Sequence, residues 1–345
     1  MTAIIGATQF LTELSFIELG LPDGCLPAGN KSPASSAERC CAFTLPAGDS
    51  WAAIEKVTID IRMKIHAIQT GTVLTRRAQP EGSQGQGLIR LANTLRDPDW
   101  TEPLPIYAWV IEHPEGLLVI DTGDTARTTQ PGYFPWWHPY YRYGVEFDIR
   151  PEQEIGPKML EIGLDPADVR WLVMTHLHSD HAGGLAYFRY AKIMISHMEY
   201  DAASGLMGRI RGYLNNRWPV WLKPELHDYL DEPLGTFRGS HTLTTTGNVH
   251  IVPTPGHSPG HQSVILELDR QVIFFAGDVS YNLKLLLDGA VDGVTQDIAT
   301  YRDTQYRVRT FLQERQAVYL PSHDPESASR LAAALQSDAQ ALGTA

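Results

Sequence analysis

Between Thr175 and His181 the chain places three imidazoles and a carboxylate in the run His176-Leu177-His178-Ser179-Asp180-His181, directly after the apolar stretch Trp171–Met174. His and Asp both resist burial without partners, so this density at a strand's end is hard to explain as packing. Imidazole is the commonest metal ligand, and a loop can aim His176 and His178 to one side while Asp180 and His181 point to a neighbouring spot. The spacing suits two metals. Three further candidates follow apolar runs in the same way: His257 in Thr254-Pro255-Gly256-His257-Ser258-Pro259-Gly260-His261, Asp278 in Ala276-Gly277-Asp278, and His323 in Pro321-Ser322-His323-Asp324. Alone, each reads as an ordinary surface histidine or a turn former. Their joint position at strand ends, where α/β proteins gather functional loops, raises all three.

The donor chemistry narrows the metal. Cys25, Cys40 and Cys41 are the chain's cysteines, and none follows Arg62, so a metal beyond that point is held by nitrogen and oxygen. Such ligands suit Zn²⁺ and accommodate Fe, Co or Mn. Gly256-His257-Ser258-Pro259-Gly260 is also a literal G-x-S-x-G, with Asp278 and His323 following in the order of a serine hydrolase triad. That elbow needs the backbone N–H after the nucleophile, and Pro259 has none. The serine reading fails on chemistry. Which of His257 and His261 binds metal stays open on the residues alone.

The elements that must position these groups are legible as apolar runs. Met63–Leu74 alternates like a first strand, and Ile106–Glu112 with Leu117–Ile120 reads as a hairpin around Pro114–Gly116. Arg170–Met174, Lys192–Ile195, Val249–Val252, Ser263–Glu267, Val272–Ala276 and Ala317–Leu320 read as further strands. Glu152–Ile162, Ile298–Arg315 and Pro325–Leu335 carry the apolar spacing of helices packed on a sheet. Mixed sheets with helices outside are expected. Residues 1–62 differ, with Pro/Gly/Ser-rich pieces and no sustained period, so the compact domain is expected to run over 63–345. The preceding segment reads as an N-terminal extension, either an accessory arm or a misassigned start, against the alternative of an extra packed layer.

Composition sets the outer limits. The chain has 345 residues, 43% of them hydrophobic and 20% charged, which supports a substantial core and excludes disordered, coiled-coil and collagen-like classes. Its formal net charge of -12 repels phosphate backbones, so nucleic acid is not an expected partner. No run of apolar residues is long enough for a membrane span, and Met1–Gly20 carries Glu13 and Glu18 without a basic leader. The expectation is a soluble, cytoplasmic protein.

HLHSDH with downstream TPGHSPGH, GD and SHD resembles the metallo-β-lactamase superfamily, from Met63 to about Leu335, and Asp121-Thr122-Gly123 matches its DTG turn. The resemblance implies an α/β, four-layer αββα sandwich with a two-metal centre at one edge. It assigns His176, His178 and His257 to one metal and Asp180, His181 and His323 to the other, with Asp278 bridging. Asp180 counts among the catalytic residues as well. Two such metals can hold a bridging hydroxide, polarise a carbonyl and stabilise a leaving oxygen, so the implied reaction is hydrolysis. Asp121 is expected to orient a ligand histidine from behind.

Within the superfamily the finer pattern is similar to the N-acyl homoserine lactonases, through Asp278-Val279-Ser280-Tyr281, His181–Gly184 and Gly260–Ser263. Carried over, Tyr281 would hydrogen-bond the lactone carbonyl or the forming alkoxide. The expected activity is opening of a lactone ring, foremost that of an N-acyl homoserine lactone, as in quorum quenching. The partner is then a small-molecule lactone or ester. Tyr133, Phe134, Trp136, Trp137, Tyr140, Tyr141 and Tyr143 in Gly132–Phe147, with Trp218 and Trp221, supply either a pocket wall or a homodimer interface. Ser179 stands where those lactonases carry a large apolar residue, which leaves other lactones open. A glyoxalase-II-like thioesterase shares the ligand set but needs a basic cluster, for which Arg209, Arg211 and Arg217 are the candidates. A β-lactamase, whose dinuclear forms use a cysteine ligand, and a non-enzymatic metal-binding scaffold fit less well.

Overall fold

The computed structural model describes residues 63–295 and 297–343, so the expectation for residues 1–62 lies outside the described residues. Strand-forming runs organise into two sheets. The first comprises β1 (Lys64–Thr75), β2 (Leu104–His113), β3 (Gly116–Ile120), β4 (Val145–Asp148), β5 (Val169–Val173), β6 (Lys192–Ser196) and β7 (Glu225–His227), in the order β4-β1-β2-β3-β5-β6-β7. The second comprises β8 (His241–Thr242), β9 (Val249–Pro253), β10 (Gln262–Glu267), β11 (Val272–Gly277) and β12 (Val318–Pro321), in the order β12-β11-β10-β9-β8. β3, β5, β6 and β7 run parallel, which is why β5 and β6 read as near-continuous apolar runs rather than alternating ones.

Alternation of side chains across each strand builds the layers. Trp109, Ile111, Leu118, Ile120, Trp171 and Val173 of the first sheet meet Ile251, Val264, Leu266, Ile273, Phe275 and Leu320 of the second in one buried cluster. The neighbours that point the other way face helices. Val110, Val119, Leu172 and Ile195 pack on Ile155, Met159, Leu185 and Phe188, while Ile265, Phe274 and Ala276 pack on Leu286, Val308 and Phe311. The result is helix, sheet, sheet, helix, the αββα sandwich expected from the sequence.

The long helix Ile298–Arg315 starts where the Asp297 carboxylate accepts from Thr300 N–H, and it buries Tyr301, Thr304, Gln305, Val308 and Phe311 at helical spacing. The helix anticipated over Glu152–Ile162 is broken into a 3-10 turn, Pro151–Gln153, and a helix, Ile155–Glu161. Glu154 sits extended between them because its carboxylate is drawn away to Thr125 Oγ1, Ala126 N–H and Tyr187 Oη. Three strands gave no sequence signal, β4, β7 and β8, all short and all at sheet edges. Among the described residues, no helix is long and apolar enough to cross a membrane.

Candidate active site

Every candidate ligand leaves its sheet at the same edge. Asp121 follows β3, the loop Thr175–His181 follows β5, Pro255–His261 joins β9 to β10, Asp278 follows β11 and His323 follows β12. Two backbone positions make the convergence possible. Gly277 has φ +58°, and a Cβ there would lie 2.7 Å from His261 Nε2 and 2.8 Å from Thr175 Cβ. Asp121 adopts φ 58° without being glycine, a costly conformation that its carboxylate justifies by hydrogen bonding. It accepts from Thr175 N–H and Thr175 Oγ1, both at 2.7 Å, and from His181 Nδ1 at 2.8 Å.

The ligand atoms fall into clusters. His176, His178 and His257 place one donor atom each within 4.8 Å of one another, and so do Asp180, His181 and His323. His176, His181 and Asp278 form a third set that overlaps both. Asp278 sits between the two outer triads: its carboxylate lies 3.4 Å from His181 Nε2, 3.4 Å from His257 Nε2 and 3.5 Å from His323 Nε2. The ring nitrogens that face away are held from behind. His181 Nδ1 meets Asp121, His257 Nδ1 meets Asp292, and His323 Nδ1 lies 2.9 Å from Pro105 C=O. Such outer partners fix ring tautomer and direction.

This cluster fits divalent cations. His176 Nε2, His181 Nε2 and Asp278 Oδ1 are buried and have no hydrogen-bond partner, and their three residues form one of the sets above. Burial holds the His176 imidazole well below its usual range and His178 at about 3, with the neighbouring imidazoles adding to the effect. Both rings are therefore neutral with a lone pair free. Burial also works against a charged His323, yet Asp278 and Asp180 outweigh it and push that ring up to about 10. His181 is raised well above its usual range, because Asp278, Asp121 and Asp180 outweigh the burial that opposes its charge. A cation at these two rings must displace protons, so its affinity falls with acid.

His261, the alternative to His257, points elsewhere. Its Nε2 accepts from Asp278 N–H at 2.9 Å, and its Nδ1 lies 2.9 Å from Thr254 Oγ1 and 3.1 Å from Thr254 C=O. Both nitrogens are committed, so His261→Ala is expected to retain most bound metal while His257→Ala loses it, as read by metal analysis of the two purified variants. Ser258, the rejected nucleophile, donates instead to Glu199 Oε2 at 2.6 Å.

Glu199 is a residue that the sequence reading missed. Its buried carboxylate also accepts from Leu177 N–H at 2.9 Å and from Gly260 N–H at 3.1 Å, tying the two histidine loops together from beneath. The visible signal was Ser196-x-x-Glu199, a capping box, and Ser196 does cap the helix His197–Ala203. Asp292 was hidden in the turn-like Val291-Asp292-Gly293.

Beside the candidate ligands lies a cavity of about 530 Å³ with a predominantly apolar wall that includes Leu88, Leu91, Tyr140, Tyr141, Phe147 and Ile210. The aromatic loop thus divides: Tyr140, Tyr141 and Phe147 face the cavity, while Trp136 is 81% exposed. Tyr281 lines the same cavity, its ring stacked on His323 at a centroid distance of 5.3 Å. Burial, then the charge of Asp292, raises the Tyr281 phenol well above its ordinary range, so it stays a neutral donor. Of the three arginines considered for a thioesterase, Arg211 lines this cavity, whereas Arg217 lines another and donates to Gly132 and Tyr133 carbonyls.

The sequence pattern of the metallo-beta-lactamase superfamily matches residues 101–323. The chain belongs to this superfamily. That span holds the seven candidate ligands, and membership implies divalent metal ions and hydrolase chemistry. Among curated relatives, N-acyl homoserine lactonase AttM of Rhizobium radiobacter is 27% identical over 275 residues, covering 77% of this chain and 94% of the relative. An N-acyl homoserine lactonase of Bacillus cereus is 29% identical over 189 residues, covering 52% of this chain and 65% of the relative. Among solved structures, a B. thuringiensis AiiA mutant with N-decanoyl-L-homoserine at its active site superposes with TM-score 0.59 at 20% identity, covering 76% of this chain and 94% of that one. AidC, described as a dizinc quorum-quenching lactonase, gives TM-score 0.55 at 15% identity, covering 77% of this chain and 89% of its own. These likenesses establish the metallo-β-lactamase fold.

Proposed function

We propose that this superfamily member is a dinuclear-metal hydrolase that opens lactone rings, with N-acyl homoserine lactones as its leading substrates. One observation carries the reading: two three-residue ligand sets share Asp278 between them and open onto a largely apolar cavity that Tyr281 also lines. The proposed ligands are His176, His178 and His257 on one side and Asp180, His181 and His323 on the other, with Asp278 common to both. When bound, two divalent cations, zinc first among those the donors accept, supply hydroxide at neutral pH and a Lewis acid for the ester carbonyl. The named lactonase relatives support the choice of ester, and the apolar wall suits an acyl chain. We also propose that the catalytic unit spans the region from residue 63 onward, with residues 1–62 dispensable for the chemistry.

The chain's own residues then have distinct tasks. Asp121 and Asp292 fix the rings of His181 and His257, so the ligand set is organised before substrate arrives. Leu88, Leu91 and Ile210 offer the acyl chain apolar contact at the cavity wall. Tyr281 donates its hydroxyl proton to the oxygen that gains charge as the ring opens. Its proton is shared rather than lost, because burial keeps the phenol neutral.

The test is a titrimetric assay of metal-reconstituted protein against N-acyl homoserine lactones, aromatic lactones, a glutathione thioester and a penicillin. Lactone-selective turnover that disappears on chelation and returns with metal is expected. A thioester preference, or activity indifferent to chelation, replaces the reading. Tyr281→Phe is expected to lower kcat on the preferred lactone by roughly 10²-fold, the typical effect of removing one charge-stabilising donor, with bound metal unchanged; full turnover in that variant removes Tyr281 from the mechanism.

A further inference from the structure

Gln79, in the short helix Ala78–Glu81, is a buried amide with no local sequence signal. Its Nε2 donates to Tyr281 Oη at 2.6 Å and to Tyr140 Oη at 3.0 Å. Its backbone is pinned as well: the carbonyl accepts from Gly293 N–H at 2.8 Å, and the N–H donates to Arg76 C=O at 2.8 Å. Gly293 is next to Asp292, the partner of His257, so the amide is built into the same frame as the ligands.

The direction of these bonds matters. An amide nitrogen carries two protons, and here both are used, leaving Oε1 as the one polar atom of this amide without a partner. A phenol that accepts from Gln79 keeps its own proton for another acceptor. Tyr281 and Tyr140 share one nitrogen and line one cavity with Asp180 and Asp278, so their two hydroxyl protons are presented side by side.

Building on the lactone-opening reading, we propose that Gln79 is a positioning residue that presents the Tyr281 and Tyr140 hydroxyls as a paired donor to the ester oxygen that gains charge during ring opening. Tyr140 thereby becomes a second substrate-contacting group. In the step itself, hydroxide adds to the carbonyl carbon, the ring C–O bond breaks, and its electron pair stays on the departing oxygen. The two phenols stabilise that oxygen through hydrogen bonds and give up no proton; the proton that neutralises it comes from the carboxyl group that the added hydroxide has just formed.

A double-mutant cycle in the metal-loaded enzyme tests this. Gln79→Leu is expected to lower kcat on the preferred lactone about tenfold with KM within about twofold, and to cost only about twofold more when Tyr281→Phe is already present. An equal loss in both backgrounds, or no loss, overturns the proposal, since a purely structural role would act independently of the phenol. Where Gln79→Leu does not accumulate folded, Tyr140→Phe takes its place: about a tenfold kcat loss, less than additive with Tyr281→Phe, is expected, and unchanged kcat overturns the proposal. A readout independent of turnover is the ¹³Cζ resonances of labelled tyrosine in zinc-loaded protein. Gln79→Leu or Gln79→Glu must shift the Tyr281 and Tyr140 signals together; signals that stay put overturn the clamp. Should the wild type open no lactone, the lactone reading falls and the ¹³Cζ shifts alone decide the clamp.

Discussion

Asp278→Ala is expected to abolish lactone opening, lowering kcat/KM by roughly 10³-fold or more, and to reduce bound metal by about half or more. The side chain is buried at 2% exposure and faces three imidazoles, one or more from each triad, at 3.4 to 3.5 Å. The other carboxylate among the proposed ligands, Asp180, meets His181 and His323 of its own triad, whereas that of Asp278 meets rings of both. On the proposed reading, two cations held close together would repel strongly in a buried site, and a carboxylate common to both would offset that repulsion. The loss is electrostatic as much as geometric, so Asp278→Asn, which keeps the shape and removes the charge, is expected to follow Asp278→Ala in activity. Metal analysis and kcat/KM on the preferred lactone check both variants. Near-normal metal content with near-normal kcat/KM in either one would remove Asp278 from the centre of the site.

The legible part of this protein was the part in which chemistry forces unusual composition. His176, His178, Asp180 and His181 stood out because three imidazoles and a carboxylate in one loop have no bland explanation, and the loops of His257, Asp278 and His323 stood out by following apolar strands. The strands themselves were readable because two stacked sheets demand apolar residues on both faces, as in β5 and β11. What stayed hidden was held by long-range partners. Glu199 and Asp292 look like a helix cap and a turn residue in isolation, since nothing local reveals that each closes on a histidine loop elsewhere in the chain. Gln79 and Tyr281 are separated by 202 residues, and no periodicity connects them. The edge strands β4, β7 and β8 are short, and half-buried pairing at an edge leaves little pattern to find.

Glu199→Ala is expected to lower thermal stability by about 10 °C and to weaken metal binding at the His176, His178 and His257 set by roughly 10- to 100-fold. The carboxylate accepts from Leu177 N–H, Ser258 Oγ and Gly260 N–H, so truncation strands three donors in a site that is 1% exposed. At about 1 kcal/mol or more for each buried donor left unmet, the total is roughly 3 kcal/mol. The direction of the metal effect follows from where the three donors sit. Leu177 lies between His176 and His178, and Ser258 directly follows His257, so one carboxylate sets the separation of the two loops that converge on the first triad. The second triad has its own outer support, in Asp121 behind His181 and the Pro105 carbonyl behind His323. Removing Glu199 should therefore deplete one site before the other, which stepwise chelator titration of the variant resolves as two separated transitions. Glu199→Gln keeps one acceptor and turns a second donor toward Gly260, so it is expected to fall between the wild type and Glu199→Ala on both measures. A variant that melts within about 2 °C of the wild type, a change worth less than about 1 kcal/mol, and that titrates in a single step would show that the two histidine loops hold their spacing without this carboxylate.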